Sequence, residues 1–292
     1  MSLRLEMLQV ARVSPKLLGD AADLTANFFS SRLNPDGGFQ DRDGASDLYY
    51  TVFGLEGLIA LQREPPSDQV RPFLARHDDP AALDFVHAAC LARCWADIGA
   101  ADEAPADALR ARIEAHRTPD GGYSQTPDAE HGSAYGCFLA VGAYEDLGDA
   151  VPDPGGVVAC LEGLRVEDGG YANDPSIPVG LTPPTAAALT LLRRLSHPAA
   201  PEAAEWLLAQ HAAEGGFRVG PVVPAPDLLS TATAIHALAG AHVNLEPIRE
   251  PCLDFIDSLW SNSGGFYGTW DDDVQDCEYT YYALLALGHL SF

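Results

Sequence analysis

The residues best placed to do chemistry are the acids near the end of the chain. Asp271-Asp272-Asp273 precedes Asp276-Cys277-Glu278-Tyr279-Thr280, so Asp272, Asp273 and Asp276 spell Asp-Asp-x-x-Asp. Carboxylate oxygens at that spacing suit magnesium, a hard cation. The plainer reading of the same run is a solvated acidic loop. Glu278, two residues beyond Asp276, is a further carboxyl at the start of an apolar segment. A carboxylic acid kept neutral by burial can protonate a bound substrate, because an apolar surround disfavours its charged form. His87 and His131 each stand near the start of an apolar segment. They read as general bases, as ligands to an anionic substrate, or as core histidines with satisfied ring nitrogens. Aromatic side chains gather in the apolar segments, with Tyr49, Tyr50, Phe53, Trp95, Tyr135, Phe138, Tyr279, Tyr281 and Tyr282 among them. Rings are ordinary core fillers, but a buried tyrosine hydroxyl needs a partner, and several of them imply a wettable cavity. The candidate catalytic groups are therefore Glu278, Asp276 and His131. The candidate substrate contacts are Tyr49, Tyr50, His87, Trp95, Tyr135, Tyr279 and Tyr282, and the candidate metal ligands are Asp227, Asp272, Asp273 and Asp276.

A repeat positions these groups. Gly-Gly-aromatic begins at Gly37, Gly121, Gly169, Gly215 and Gly264, in steps of 84, 48, 46 and 49 residues. A step of just under fifty residues, doubled once, marks an array or closed ring of similar units. An amphipathic segment precedes each glycine pair: Asp20–Arg32, Ala106–Arg117, Gly156–Leu164, Pro201–His211 and Glu250–Trp260. Leu24, Phe28, Phe29 and Leu33 show the helical spacing. A segment apolar on nearly every side follows each loop: Tyr49–Leu61, Phe85–Ile98, Tyr135–Leu147, Pro184–Leu195, Ser230–Gly240 and Tyr279–Leu290. Phe85–Ile98 fills the double step, although its glycine turn is missing. A helix apolar all round is buried. Six exposed helices alternating with six buried ones predict an all-α barrel within a ring, one domain over 1–292 with repeats from about residue 20 to 290. The apolar end, Leu287 to Phe292, favours closure, since an open solenoid needs polar caps. The buried helices are expected to begin at Asp47, Asp84, Glu130, Leu181, Asp227 and Asp276. Acidic first residues cap helices and match their dipoles. Parallel helices would also crowd these carboxylates at one mouth.

Composition narrows the partners. The 292 residues are 47% hydrophobic and 20% charged, enough for a sizeable core. A net charge of −25, with Lys16 the one lysine, argues against nucleic acid or an anionic membrane surface as partner. The first residues lack the apolar core of a signal peptide, and no apolar run is long enough to span a membrane, so a cytoplasmic location is expected. Cys90, Cys94, Cys137, Cys160, Cys252 and Cys277 lie mostly in apolar segments without Cys-x-x-Cys spacing, and read as small buried hydrophobes.

Four pieces carry a family resemblance: Pro35-Asp-Gly-Gly-Phe39, Asp47-Leu-Tyr-Tyr-Thr51, Pro119-Asp-Gly-Gly-Tyr123 with Glu130-His-Gly, and Asp276-Cys-Glu-Tyr-Thr280. From about Ala22 to Leu290 the chain resembles the prenyltransferase and squalene-cyclase repeat family, and most closely the β-subunits of protein prenyltransferases of the Rab geranylgeranyl type. The resemblance implies an α/α toroid, an aromatic central cavity for an isoprenoid chain, and a helical partner subunit. Its zinc ligands transfer poorly. Asp227 matches the family's aspartate, but Leu229 and Tyr279 stand where a cysteine and a histidine belong, so zinc is not expected. The loop Val219 to Pro226 has no cation where the family holds diphosphate; His131 corresponds to its diphosphate histidine, shifted by one residue. Class II terpene cyclases of the wider family carry Asp-x-Asp-Asp-Thr at a helix start, and Glu278 takes the place of the protonating aspartate. Two functional classes follow: an isoprenoid enzyme acting on an allylic diphosphate or a polyene, and a non-catalytic toroid holding a lipid or a partner peptide.

Overall fold

The structure is a computed structural model that describes residues 2–292. Among them, six helices of 13 residues each form the apolar set: α4 (Leu48–Ala60), α6 (Phe85–Asp97), α8 (Ala134–Asp146), α10 (Thr182–Arg194), α12 (Leu228–Gly240) and α14 (Cys277–His289). Each is preceded by an amphipathic helix: α3 (Ala21–Ser31), α5 (Ser67–Leu74), α7 (Ala106–Glu114), α9 (Pro154–Gly163), α11 (Pro201–Leu208) and α13 (Glu246–Ser258). The double step holds a complete pair. There α5 and α6 are joined by a 3-10 turn at Pro80–Ala82 instead of a glycine turn. Two further helices, α1 (Leu3–Ala11) and α2 (Pro15–Leu18), precede the repeat. Within the described residues no helix is long and apolar enough to cross a membrane.

The chain divides into two compact units. The first comprises 1–115, 142–150 and 259–292. In it α14 packs on α4 and α4 packs on α6, while α1 lies against both α14 and α4. The second comprises 116–141 and 151–258, and in it α10 packs on α12 with α11 against both. Two short antiparallel ladders decorate the repeats, β1 (Phe39–Gln40) with β2 (Ser46–Asp47) and β3 (Phe217–Arg218) with β4 (Pro226–Asp227).

One hydrogen-bond device recurs at the turns. The aromatic after each glycine pair bridges back to a residue two or three positions past the end of the helix before it: Leu33 with Phe39, Arg117 with Tyr123, Arg165 with Tyr171, His211 with Phe217, Trp260 with Phe266. In four repeats that aromatic's N–H donates to a threonine one turn into the next apolar helix. Phe39 donates to Thr51 at 3.0 Å, Tyr171 to Thr185 at 2.9 Å, Phe217 to Thr231 at 2.9 Å and Phe266 to Thr280 at 3.2 Å. Thr51, Thr231 and Thr280 pass their own protons to the carbonyl of the capping aspartate. The Asp-x-x-x-Thr motif thus satisfies buried backbone groups. The first glycine has a steric duty as well: Gly264 sits at φ 93°, and a Cβ there would lie 2.3 Å from the Leu24 carbonyl oxygen. Thr280→Val removes the acceptor while keeping the shape. It is expected to cost about 2 kcal/mol by urea midpoint, with Thr280→Ser restoring most of the loss.

The predicted helix starts hold at Asp47, Asp84, Leu181, Asp227 and Asp276, each the residue before its helix. Glu130 is the exception. Helix α8 starts later, and the Ser133 hydroxyl takes the Gly136 N–H at 2.9 Å while Glu130 stays exposed in the loop. A serine beside the first turn displaced a more distant acid.

Candidate functional site

The capping aspartates each spend one carboxylate oxygen on a backbone N–H. Asp47 accepts from Tyr50 at 3.1 Å, Asp84 from His87 at 2.9 Å, Asp227 from Ser230 at 2.7 Å and Asp276 from Tyr279 at 2.9 Å. The remaining oxygens determine what the first unit offers. His87 lies between two of them, Nδ1 2.7 Å from Asp84 and Nε2 2.9 Å from Asp47. Those carboxylates push the imidazole up to about 9, so it is charged at neutral pH and clamps the starts of α4 and α6 together. Both ring nitrogens of His87 are engaged by these carboxylates. The clamp strengthens the fold fully below the ordinary histidine pKa and is lost as pH rises through about 9. Wild type is expected to lose about 1 kcal/mol, discounted for partial exposure, between pH 7 and 10 relative to His87→Leu. Urea midpoints at both pH values read the difference.

Arg42 holds the acidic loop. Its guanidinium reaches Asp276 at 2.7 Å and both oxygens of Asp272 at 2.8 and 3.3 Å, and it lies over the Tyr279 ring at 5.3 Å. Asp273 is exposed beside them. The two acids of the Asp-Asp-x-x-Asp run that turn inward thus face a guanidinium, and its charge already offsets theirs. Among the described residues no three histidine, cysteine, aspartate or glutamate side chains converge so as to hold a metal ion. Asp272, Asp273 and Asp276 do not fit magnesium in this arrangement. At the zinc position of the resemblance, Asp227 is occupied as a cap and its neighbour Leu229 has no donor atom. The sequence reading missed Arg42. The signal was a single cation, flanked by Asp41 and Asp43, in the first acidic loop of a chain poor in cations.

Glu278 is half-buried and accepts a hydrogen bond from the Tyr49 hydroxyl at 2.6 Å. Burial pushes its carboxyl up to about 7, and Asp276 adds to the rise; the Tyr49 bond and Arg42 oppose it. Near neutral pH the group therefore exists in both forms. Burial, Asp276 and Glu278 together push Tyr50 up to about 12, so it stays a neutral phenol. Rings continue inward from this point. Tyr49 meets Tyr50 at 5.6 Å and Phe53 at 5.0 Å between centroids; Phe53 meets Tyr281 at 5.8 Å and Tyr282 at 5.6 Å. The Tyr49 contacts with Tyr50 and Phe53 are edge-to-face, with interplanar angles of 82° and 73°.

Among the described residues, none of the other sequence candidates hydrogen-bonds to Glu278. Trp95 is buried in α6. Tyr135 opens α8 in the second unit, its N–H on the Asn173 amide oxygen at 3.1 Å. His131 is exposed in that unit too, 3.7 Å from Asp120. Asp227 also belongs there. The first unit thus holds Glu278, Asp276, Asp272, Asp273, Tyr49, Tyr50, Tyr279, Tyr282, Trp95 and His87, the last on Asp47 and Asp84, with Arg42 added by the fold.

A second group of charges lies along the same helices, buried deeper. Arg93 contacts Asp146 at 3.1 Å and Glu56 at 3.8 Å, while Arg4 of α1 reaches Asp97 at 2.9 Å and Asp146 at 3.2 Å. Two guanidiniums face three buried carboxylates, and burial holds Glu56 and Asp97 above the usual carboxylate range. Tyr281, fully buried, faces Glu56.

The family described as Prenyltransferase alpha-alpha toroid domain matches residues 5–79, 81–152 and 184–291. No curated protein matches the chain. Among solved structures, type II terpene cyclase MstE from Scytonema in its apo form aligns with a TM-score of 0.62 and 14% identity, over 94% of this chain and 97% of that one. A variant of the same cyclase in complex with geranylgeranyl dihydroxybenzoate, its substrate, aligns at 0.60 and 14%, over 95% and 97%. A protein from Actinoplanes aligns at 0.60 with 18% identity, over 93% and 98%. Candida albicans protein geranylgeranyltransferase-I complexed with GGPP aligns at 0.41 with 14% identity, over 96% and 81%.

Proposed function

This chain belongs to the prenyltransferase alpha-alpha toroid family, and from that premise we propose that it binds an isoprenoid polyene and protonates it through Glu278. The toroid expected from the repeat is the fold of that family. The observation that carries the proposal is the Glu278–Tyr49 pair: a carboxyl raised to about 7, hydrogen-bonded at 2.6 Å, at the edge of a run of aromatic rings. In the protonated state Glu278 gives its proton to an epoxide oxygen or to a trisubstituted alkene carbon, leaving a tertiary carbocation. The carboxylate formed keeps the Tyr49 hydrogen bond and the field of Arg42. The faces of Tyr49, Phe53 and Tyr282 stabilise the cation by their quadrupoles. Loss of a C–H proton to water completes the balance.

The reading routes no step through a metal, because the inward acids are held by Arg42 and the zinc position offers one carboxylate. A diphosphate is disfavoured for the same reason: the cation nearest the acidic loop is already engaged. A geranylgeranyl chain on a small aromatic acid, the substrate class that one structural neighbour's complex holds, is the first probe. Incubation in heavy water tests the proposal. A product carrying one deuterium at carbon is expected, with chelator having no effect. Uptake of the chain without conversion would instead leave a lipid-binding toroid.

A further inference from the structure

Cys137 and Cys160 break the repeat at two positions in the same unit. Where four repeats offer a threonine hydroxyl to the N–H of the turn aromatic, the repeat at Gly121 offers Cys137 to the Tyr123 N–H. In those same four repeats the second glycine lies under an aromatic ring from the next amphipathic helix, Phe73, Trp206, Phe255 or Phe28. In the Gly121 repeat the residue from α9 is Cys160. A Cβ on Gly122 would come within 2.3 Å of Cys160 Sγ and 3.2 Å of Cys137 Sγ, so the glycine turn closes directly over both sulfurs. Either cysteine alone would be ordinary packing by a small side chain. Together they set two buried thiols 3.9 Å apart.

The surroundings distinguish the two sulfurs. Cys160 faces the Asp120 carboxylate, which is itself held by the Gly122 and Gly132 N–H groups. With burial and both Cys137 and Asp120 beside it, Cys160 keeps its proton and sits above the usual thiol range. Cys137, beside the Cys160 sulfur and facing the Tyr123 N–H, sits below that range. Cys137 is thus the side that becomes a thiolate, the form that reacts.

We propose that Cys137 and Cys160 form a redox-active dithiol that closes to an intramolecular disulfide with a peroxide and is reopened by a dithiol reductant. The Cys137 thiolate attacks a peroxide oxygen and the O–O bond breaks, giving a sulfenic acid and hydroxide. The Cys160 sulfur then attacks the Cys137 sulfur, the S–O bond breaks, and water leaves. The Cys160 proton leaves with the sulfenic hydroxyl as that water, and the proton Cys137 released on ionising neutralises the first hydroxide, so two thiols and one hydrogen peroxide become a disulfide and two waters. The bond ties α8 to α9 across a separation of 23 residues and braces the loop that carries His131.

Peptide mass spectrometry after peroxide treatment, with denaturing alkylation of the remaining thiols, tests this. A Cys137–Cys160 cross-link is expected, reversed by dithiothreitol, while Cys90, Cys94, Cys252 and Cys277 are alkylated. Oxidised protein is expected to melt about 5 °C higher, as a loop of this length implies. Cys137→Thr, which supplies the residue the four other repeats use, is expected to fold and to leave Cys160 free. Full alkylation of both cysteines after equilibration with oxidised glutathione overturns the proposal, as does Cys137 sulfinic acid without a cross-link. If Cys137→Thr does not fold, the wild-type map decides alone.

Discussion

Glu278→Gln is expected to lower conversion of a polyene or its epoxide by at least about 100-fold, the contribution of a positioned general acid, while uptake of the chain changes little. The amide keeps the size and the acceptor for the Tyr49 hydroxyl but has no proton to give. The pH profile provides an independent readout. Wild-type rate should fall as pH rises through about 7, where Glu278 loses its proton. Tyr49→Phe removes a hydrogen bond that favours the charged form, so the falling limb should move to higher pH. Stability runs in the same direction. A carboxyl raised from its ordinary value to about 7 strengthens the fold below that ordinary value, and the gain is lost as pH rises through about 7. Glu278→Gln should therefore be more stable than wild type at pH 8 by roughly 2 kcal/mol, and nearly equal to it at pH 4. A glutamine variant with wild-type turnover would end the proton-donor reading, whatever its stability.

Arg93→Met is expected to cost about 3–5 kcal/mol, the largest stability effect on the chain, measured by urea unfolding at pH 7. Arg93 lies between Glu56 and Asp146, both with almost fully buried side chains, and its removal leaves three carboxylates facing Arg4 alone. Desolvated charge without a partner is what makes the loss large; an exposed pair would contribute little. The deficit should be smaller at pH 5 than at pH 8. Without Arg93 the acids hold their protons to higher pH, and acid supplies the neutralisation that the guanidinium gave. Glu56→Gln in the Arg93→Met background should recover a good part of the loss, and the double-mutant cycle gives the coupling directly. Arg4→Ala tests the other cation. It should weaken the seat of α1 on α4 and α14, seen as early protease cleavage within residues 3–11.

The repeat, the alternation of helix types and five of the six helix starts could be read from the chain, because periodicity and capping are local properties. The positive-φ glycine that opens each pair marks the turn after an amphipathic helix, a few residues past helix ends that close on αR residues such as Arg32 and Ala209; aspartates cap through the next N–H groups, and an apolar stretch of 13 residues must be buried whatever surrounds it. The role of threonine in the Asp-x-x-x-Thr motif was not read, because its partner lies at the preceding turn, 14 residues back from Thr280. Glu278 was legible through the resemblance of Asp276-Cys-Glu-Tyr-Thr280 to the class II terpene-cyclase motif. Its partner Tyr49 is 229 residues away and comes from tertiary packing of α14 on α4.

The sequence by itself determined the hairpin repeat, the buried helices and the inventory of acids and rings, since each follows from side-chain type at fixed spacing. Tertiary structure decided what those acids do. Asp272 and Asp276 pair with Arg42 across 230 and 234 residues, His87 joins Asp47 across 40, and Arg4 reaches Asp97 across 93. A carboxylate alone is compatible with a cap, a metal ligand, an ion pair or a proton donor. Which of these it becomes depends on the desolvation and the counter-charge it meets, and both are set by residues far away in the chain.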